Sequence, residues 1–235
     1  MIHIPTLQPP IVILGMPQSG TSFLARILHE QGVPMCGSAG FHDDKHHECK
    51  ELHDAITYEL HFNPPAIRYP KTGDKATDRY LNAIRVPLRD EFRRAMVAYR
   101  RGREVAANGQ QWGCKDPRLA LMFEAAFGCF QGARFILCSR GPGDAASAAY
   151  WKGLAESDVS RRITYCTVYR NIWEYAQPTQ QAMFEWSYNP RAGHYVQEAA
   201  LSHWLGREVK YSDQWQEAKW WRAETGGGNE GSMAE

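Results

Sequence analysis

Residues 11–31 of the chain, IVILGMPQSGTSFLARILHEQ, decide its fold class. The run Ile11 to Leu14 is continuously apolar and rich in β-branched residues, and Pro10 and Gly15 bound it. This pattern is typical of a strand buried on both faces of a parallel sheet. After a turn at 16–20, apolar residues recur with helical spacing, at Phe23, Leu24, Ile27 and Leu28. The stretch therefore predicts a strand that leads directly into a helix.

The turn between this strand and this helix has small residues where backbone amides can crowd around an anion. It runs GMPQSGTS from Gly15 to Ser22, and the following helix directs the positive end of its dipole at the same place. We expect Thr21 or Ser22 to cap the helix and Gly32 to end it. The turn predicts a phosphate-binding loop, with an ordinary strand-to-helix connection as the alternative.

The loop lacks the lysine of nucleoside triphosphatases. In the pattern G-x-x-x-x-G-K-[ST] a lysine stands where this chain has Thr21, so no loop side chain would bring a cation to a β,γ-phosphate pair. A P-loop kinase-like nucleotide-binding enzyme is therefore an alternative that this residue disfavours.

A second strand-turn-helix unit follows the same plan. The segment RFILC, Arg134 to Cys138, has the pattern of a buried strand, Arg140 leaves its end, and an alanine-rich helix opens at Asp144. Ser147 lies about two turns into the helix that follows Arg140. A guanidinium gives a charged bidentate clamp and a hydroxyl adds a neutral donor, so this pair can hold a second phosphate. The alternative is a solvated arginine and a serine that packs in a helix.

A third unit places charged groups at another strand end. The run Gln111 to Cys114 predicts a short strand that ends at Lys115 and Asp116, and Pro117 suits the first turn of a helix from Arg118 to Phe130. Further along, the pattern predicts a helix at 156–175, a strand at 183–187, and a helix at 191–205 that Gly206 ends.

Alternating strands and helices of this kind predict an α/β fold, in which three layers, α/β/α, surround a central parallel sheet. Ligands bind outside the carboxyl ends of such strands. We expect one domain over 1–224, since 235 residues need no second core. Within it, 36–109 is a mostly helical insertion over the ligand edge, with a charged helix near 78–101. The Gly-rich polar tail 225–235 is expected to be disordered.

The net charge of the chain is too small to attract large anionic partners. The formal net charge is +1 and the isoelectric point is near 7.7, so we expect no nucleic-acid partner. No apolar run approaches the roughly 20 residues that span a bilayer, so no membrane partner is expected. Six cysteines without a C-x-x-C pair, and a start without a signal peptide, predict a cytoplasmic protein.

The motifs together resemble the sulfotransferase family. Its P-x-S-G-T-[ST] loop is matched by six consecutive residues, Pro17, Gln18, Ser19, Gly20, Thr21 and Ser22, and its Arg…Ser pair by Arg140 and Ser147. The resemblance implies the P-loop NTPase-like sulfotransferase architecture and 3′-phosphoadenosine 5′-phosphosulfate (PAPS) as donor. The loop would hold the 5′-phosphosulfate, Arg140 and Ser147 would hold the 3′-phosphate, and 3′-phosphoadenosine 5′-phosphate (PAP) would be the product.

The likeness extends to candidate catalytic residues. The segment 112–118, WGCKDPR, is similar to the W-K-D-P-R segment of bacterial members, and His47-Glu48 is similar to their G-[HYF]-x-E region. The resemblance implies Glu48 as the first candidate for the base that takes the acceptor's proton, and His47 and Asp116 as the next candidates. Asp116 has an alternative role as a helix N-cap or salt-bridge partner ahead of Pro117.

The loop departs from the family at one position. Many relatives carry Lys or Arg where this chain has Gln18, which has no charge to offer the bridging oxygen as the sulfuryl group leaves. Either Lys115 supplies that charge from the adjacent strand end, or the protein binds a nucleotide without efficient transfer.

The expected activity is transfer of a sulfuryl group to a hydroxyl or amine of a carbohydrate or small-molecule acceptor. A degenerate, non-catalytic sulfotransferase fold that acts as a binding module is the second alternative, and a homodimer is compatible with the sequence. The histidine-rich segment 42–53 lacks paired ligands at standard spacing, so no metal is expected.

Overall fold

The computed structural model describes residues 8–16, 19–37, 40–43, 47–62, 90–141, 158–179, 182–187 and 195–210. The strands in this part of the chain are β1 (Ile11–Leu14), β2 (Phe41–Asp43), β3 (Glu48–Cys49), β4 (Gly113–Lys115), β5 (Arg134–Ser139) and β6 (Ala182–Ser187). The helices are α1 (Thr21–Glu30), α2 (Lys50–Phe62), α3 (Asp90–Ala107), a 3-10 helix (Pro117–Ala120), α4 (Phe123–Cys129), α5 (Asp158–Thr179) and α6 (Tyr195–Leu205).

Four strands form a parallel sheet in the order β4-β1-β5-β6. The register pairs Ile13 of β1 with Lys115 of β4, and Leu14 of β1 with Leu137 of β5. The carboxyl ends of these three strands therefore lie side by side, as the sequence predicts for a ligand-binding edge.

Alternate residues of β1 face two separate apolar cores, which shows that helices cover both faces of the sheet. Ile11 and Ile13 pack on one side with residues of α1 and α6, among them Leu24, Leu28 and Leu201. Val12 and Leu14 pack on the other side with residues of α2, α3, α4 and α5. The predicted three-layer α/β/α fold is confirmed.

The first helix begins differently from the prediction. Its N-cap is Gly20, with φ 92°, and no side chain caps it. A glycine takes this left-handed backbone without steric cost. The expectation that Thr21 or Ser22 caps the helix is therefore wrong, since both lie inside its first turn. The end is as predicted, because Gln31 is the C-cap and Gly32 has φ 82°.

The helix predicted over 118–130 divides in two. A 3-10 helix covers Pro117–Ala120 and α4 covers Phe123–Cys129. The connection has short i to i−3 bonds, from the Leu121 and Met122 amides to the carbonyls of Arg118 and Leu119. The strand before it also lies later than predicted, at Gly113–Lys115.

The insertion over 36–109 contributes a two-stranded antiparallel hairpin, β2 and β3, as well as α2 and α3. The helix predicted near 78–101 is observed at Asp90–Ala107, while 63–89 lies outside the described residues. The buried Arg103 of α3 donates to the carbonyl oxygens of Pro34 (2.8 Å), Gly113 (3.3 Å) and Cys36, and thereby ties the insertion to β4.

The last elements agree with the prediction to within a few residues. The observed bounds are 158–179 for α5, 182–187 for β6 and 195–205 for α6, and Gly206, with φ 66°, ends α6. The helix predicted from Asp144 and the tail 225–235 lie outside the described residues. Within the described segments, none of the helices has the length and apolar character needed to cross a membrane.

Candidate active site

The loop after β1 is tightly packed at the carboxyl edge of the sheet. A Cβ atom on Gly15 would lie 2.6 Å from Ser19 Oγ and 2.8 Å from the carbonyl oxygen of Cys138, so only glycine fits there. Ser19 is buried, and its hydroxyl has no hydrogen-bond partner among the described residues. α1 begins at Thr21, two residues after Ser19, and the first amides of a helix have no partner within it. Pro17 and Gln18 lie outside the described residues.

Arg140 leaves β5 at this same edge, on the strand next to β1. Tyr169 of α5 joins the two strand ends, because its hydroxyl accepts a hydrogen bond from the Met16 amide at 3.1 Å and donates to the Cys138 carbonyl. The loop and Arg140 therefore lie on adjacent strands at one end of the sheet. Ser147 lies outside the described residues.

Lys115 ends β4, on the other side of β1, and is buried. Its Nζ donates to Ser22 Oγ at 3.1 Å and to Glu48 Oε1 at 2.8 Å. Ser22 belongs to the first turn of α1, and Glu48 belongs to the hairpin of the insertion. One ammonium group thus connects the loop to the insertion.

Glu48 has a carboxylate that two elements hold. Its Oε1 faces Lys115, and its Oε2 lies 3.2 Å from Nδ1 of His53 in α2. Burial alone would raise the pKa of Glu48, but the charge and hydrogen bond of Lys115 and the hydrogen bond of His53 outweigh it and lower that pKa below its ordinary 4.5. The carboxylate is therefore ionised at neutral pH.

Asp116 is buried and caps the 3-10 helix by accepting from the Arg118 amide at 2.9 Å. Its carboxylate also pairs with the Arg118 guanidinium, at 2.8 Å from Nε and 2.5 Å from Nη2. The N-cap and the salt bridge that the sequence offered as alternatives to catalysis are both present. Arg118 also donates to Thr57 Oγ1 at 2.8 Å, which extends the network to α2.

His47 lies in a different environment from Glu48. Its backbone has φ 53°, and its buried ring packs against Phe41 at 4.8 Å and lies 6.0 Å from His29. The structure thus places this candidate in an aromatic cluster, while the neighbouring Glu48 faces Lys115.

Glu48, His53 and Asp116 place one ligand atom each within 4.8 Å of the others, which is a spacing that metal ions use. Lys115 and Arg118 already neutralise the two carboxylates at 2.8 Å and 2.5 Å. A divalent cation would have to displace both of these positive side chains. The arrangement therefore fits an ion-pair network better than a metal centre.

Sequence reasoning missed three residues of this site. The sequence marked His53 only as a possible metal ligand, and it marked Arg118 only as the last residue of the segment WGCKDPR. Tyr169 lies 153 residues from Met16 along the chain, and no local pattern marks that contact. The segment Lys115-Asp116-Pro117-Arg118, with three charged residues in four positions, was the one clue that the sequence offered for Arg118.

Two solved structures and one protein family are similar to this chain. Among solved structures, sulfotransferase STF9 from Mycobacterium avium is 14% identical, with a TM-score of 0.45 over 94% of this chain and 69% of that chain. The sulfotransferase domain from the curacin biosynthetic pathway is 16% identical, with a TM-score of 0.47 over 89% of this chain and 77% of that chain. No curated protein matches the sequence. The model of the sulfotransferase family matches residues 9–220, which include every element described above. The chain belongs to the sulfotransferase family.

Proposed function

We propose that this protein transfers a sulfuryl group from PAPS to a hydroxyl or amine of a carbohydrate or small-molecule acceptor. The observation that carries this proposal is the position of Lys115, whose Nζ contacts Ser22 Oγ of the donor loop and Glu48 Oε1. Sulfuryl transfer needs a cation where negative charge accumulates and a base near the attacking group. Lys115 lies between the donor loop, where the proposal needs the cation, and Glu48, to which the proposal gives the role of the base.

The donor half of the site has the features that a nucleotide with two phosphate groups needs. The amides at the start of α1 and the Ser19 hydroxyl, which has no partner in the described part of the chain, suit the 5′-phosphosulfate. Pro17, Gln18, Gly20 and Thr21 complete the same loop. Arg140, with Ser147, would hold the 3′-phosphate from the neighbouring strand.

Glu48 and Lys115 act together in this mechanism. PAPS supplies the sulfuryl group and leaves as PAP. Glu48 takes the proton from the acceptor hydroxyl or amine while the acceptor attacks in line with the leaving oxygen. As Glu48 becomes neutral, its electrostatic attraction for Lys115 weakens. The ammonium charge then becomes available to the leaving phosphate. Lys115 thereby supplies the charge that Gln18 lacks.

Calorimetric titration with PAP tests the donor site. The wild type should bind one PAP per chain. Arg140→Ala should bind it at least about tenfold more weakly, since a charge-assisted hydrogen bond contributes about 1.5–3 kcal/mol. Arg94→Ala removes an exposed arginine that pairs with Glu91, and this control should bind as the wild type does. The proposal fails if the wild type shows no binding of PAP at millimolar concentration.

Radiolabelled PAPS with a panel of sugars, alcohols, phenols and amines tests the reaction. Transfer of label to any member supports a transferase, and Glu48→Gln should reduce it about 100-fold or more. Binding of PAP without transfer across the panel would instead favour a non-catalytic sulfotransferase fold, the alternative that Gln18 motivates. Magnesium-dependent ATP binding in place of PAP would favour the kinase-like reading.

A further inference from the structure

We propose that His53 is a positioning residue that donates its Nδ1–H to Glu48 Oε2 and thereby fixes the carboxylate that receives the acceptor's proton. This inference rests on the proposed function, in which Glu48 is the base. It assigns to α2 a part in the reaction that no motif of the sequence indicated.

The carboxylate is held at both oxygens by different elements. Lys115 of β4 holds Oε1 at 2.8 Å, and His53 of α2 holds Oε2 at 3.2 Å. A quarter turn about the last side-chain bond of Glu48 would break both contacts. The Glu48 side chain keeps 14% of its surface exposed, so the remaining lone pairs can meet an acceptor. A base held in this way loses less conformational entropy when it reaches the reacting geometry.

Two groups compete for the same nitrogen of His53. Nη2 of Arg118 lies 2.9 Å from Nδ1, and Glu48 Oε2 lies 3.2 Å from it. Nδ1 carries either a proton or a lone pair. A lone pair would face the lone pairs of an ionised carboxylate, which is repulsive. A proton satisfies Glu48, and Nη2 of Arg118 then has two other acceptors, Asp116 Oδ2 at 2.5 Å and the His53 carbonyl at 3.2 Å.

The surroundings keep the imidazole neutral and in place. Burial and the charge of Arg118 lower the pKa of His53, while Asp116, at 3.7 Å, and Glu48 oppose that change. The ring of His42 stacks on it from β2, with 3.6 Å between centroids and 9° between planes. A neutral ring with its proton on Nδ1 keeps that proton throughout the reaction. The acceptor's proton moves only to Glu48, so His53 neither gains nor loses one.

Nitrogen-15 NMR of the imidazoles in the full chain tests this assignment directly. The chain has 9 histidines, and His53→Asn identifies the signals of His53. At pH 7.5 the wild type should show the Nδ1–H tautomer. Glu48→Ala removes the acceptor and leaves the Arg118 N–H facing Nδ1, so the proton should move to Nε2. The proposal is overturned if Nδ1 is unprotonated in the wild type, or if Glu48→Ala leaves the tautomer unchanged.

Carbon-13 NMR of the Glu48 carboxylate gives a second readout. His53→Phe keeps an aromatic ring against His42 but has no donor, so it should raise the pKa of Glu48. His53→Asn keeps a donor near the Nδ1 position and should restore a lower pKa. Asp54→Asn, on the exposed side of α2, should leave the Glu48 pKa unchanged and serves as the matched control. An identical Glu48 pKa in the Phe variant and the wild type would overturn the proposal.

Rates separate this inference from the proposed function. With the best acceptor of the PAPS panel, His53→Phe should lower kcat about 10- to 100-fold and move the acid limb of the kcat profile to higher pH, with PAP affinity within about twofold. If the wild type binds no PAP, the proposed function fails. If the wild type binds PAP and transfers label but His53→Phe turns over equally fast, only the role of His53 fails.

Discussion

A buried lysine costs free energy unless its charge is paired, and Lys115 is paired with Glu48 at 2.8 Å. In the proposed mechanism, the pairing keeps a positive charge beside the donor loop until the carboxylate is protonated. It also lowers the pKa of Glu48, so the carboxylate is ionised at neutral pH. Both effects come from one contact between β4 and the hairpin of the insertion.

Lys115→Met tests this contact, since methionine has a similar volume and no charge. Turnover of PAPS should fall about 100- to 1000-fold, which is typical for removal of one electrostatic stabiliser. The acid limb of the rate profile should also move to higher pH, because the burial of Glu48 remains while its positive partner is lost.

The control for this variant is Lys50→Met, which removes the exposed lysine that pairs with Asp54 on α2. It should retain the wild-type rate and the wild-type pH profile. Turnover of Lys115→Met within about threefold of the wild type would show that another group supplies the charge.

Motifs in the sequence were sufficient to select Lys115 and Glu48 as candidates, and the structure brings them into contact. They were insufficient for His53 and Arg118. The Arg118 guanidinium meets His53 from 65 residues away in the chain. The packing of α2 against the 3-10 helix determines that contact, and neither segment carries a local pattern that fixes it.

At the scale of elements, Tyr169 connects α5 to the ends of β1 and β5. Its hydroxyl accepts a hydrogen bond from the Met16 amide, directly before the part of the loop that would hold the 5′-phosphosulfate. The same hydroxyl donates to the Cys138 carbonyl, two residues before Arg140. One side chain therefore ties the end of β1 to the end of β5, the two strands that carry the halves of the proposed donor site. It is buried, so the bonds are shielded from water.

Tyr169→Phe should keep the fold, because the ring still fills its place in the core. PAP should bind about 3- to 10-fold more weakly, since two backbone groups lose their partner and the loop is no longer tied to β5. Calorimetry measures the affinity and circular dichroism verifies the fold.

Tyr58→Phe is the matched control for this variant, because Tyr58 lies on α2 with 60% of its surface exposed. Its PAP affinity should equal that of the wild type. If Tyr169→Phe also binds PAP as the wild type does, the loop is positioned without this tie.

The elements that sequence patterns predicted well are those with strong local rules. A continuous apolar run predicted β1, and Gly32 and Gly206 marked two helix ends. The hairpin β2 and β3 escaped prediction because its strands have only three and two residues. The division of the helix after Pro117 also escaped prediction, although the Asp116 cap that begins the 3-10 helix is a local contact with Arg118 that the sequence had offered.

At the scale of the whole molecule, the site combines two structural sources. The sheet edge contributes the donor loop, Arg140 and Lys115, and the insertion contributes Glu48 and His53. In the proposed function, the donor half is thus fixed by the parallel sheet that defines the fold, whereas the base comes from the insertion. Under the proposed function, we expect acceptor preference to change with the insertion while donor binding stays constant.

The most direct test of this account is a crystal structure of the protein with bound PAP. We expect the 5′-phosphate at the amides that begin α1, the 3′-phosphate at Arg140, and Lys115 Nζ within about 3 Å of a 5′-phosphate oxygen. A nucleotide that meets only one of these two anchors, or that leaves Lys115 remote from its phosphates, would contradict the account.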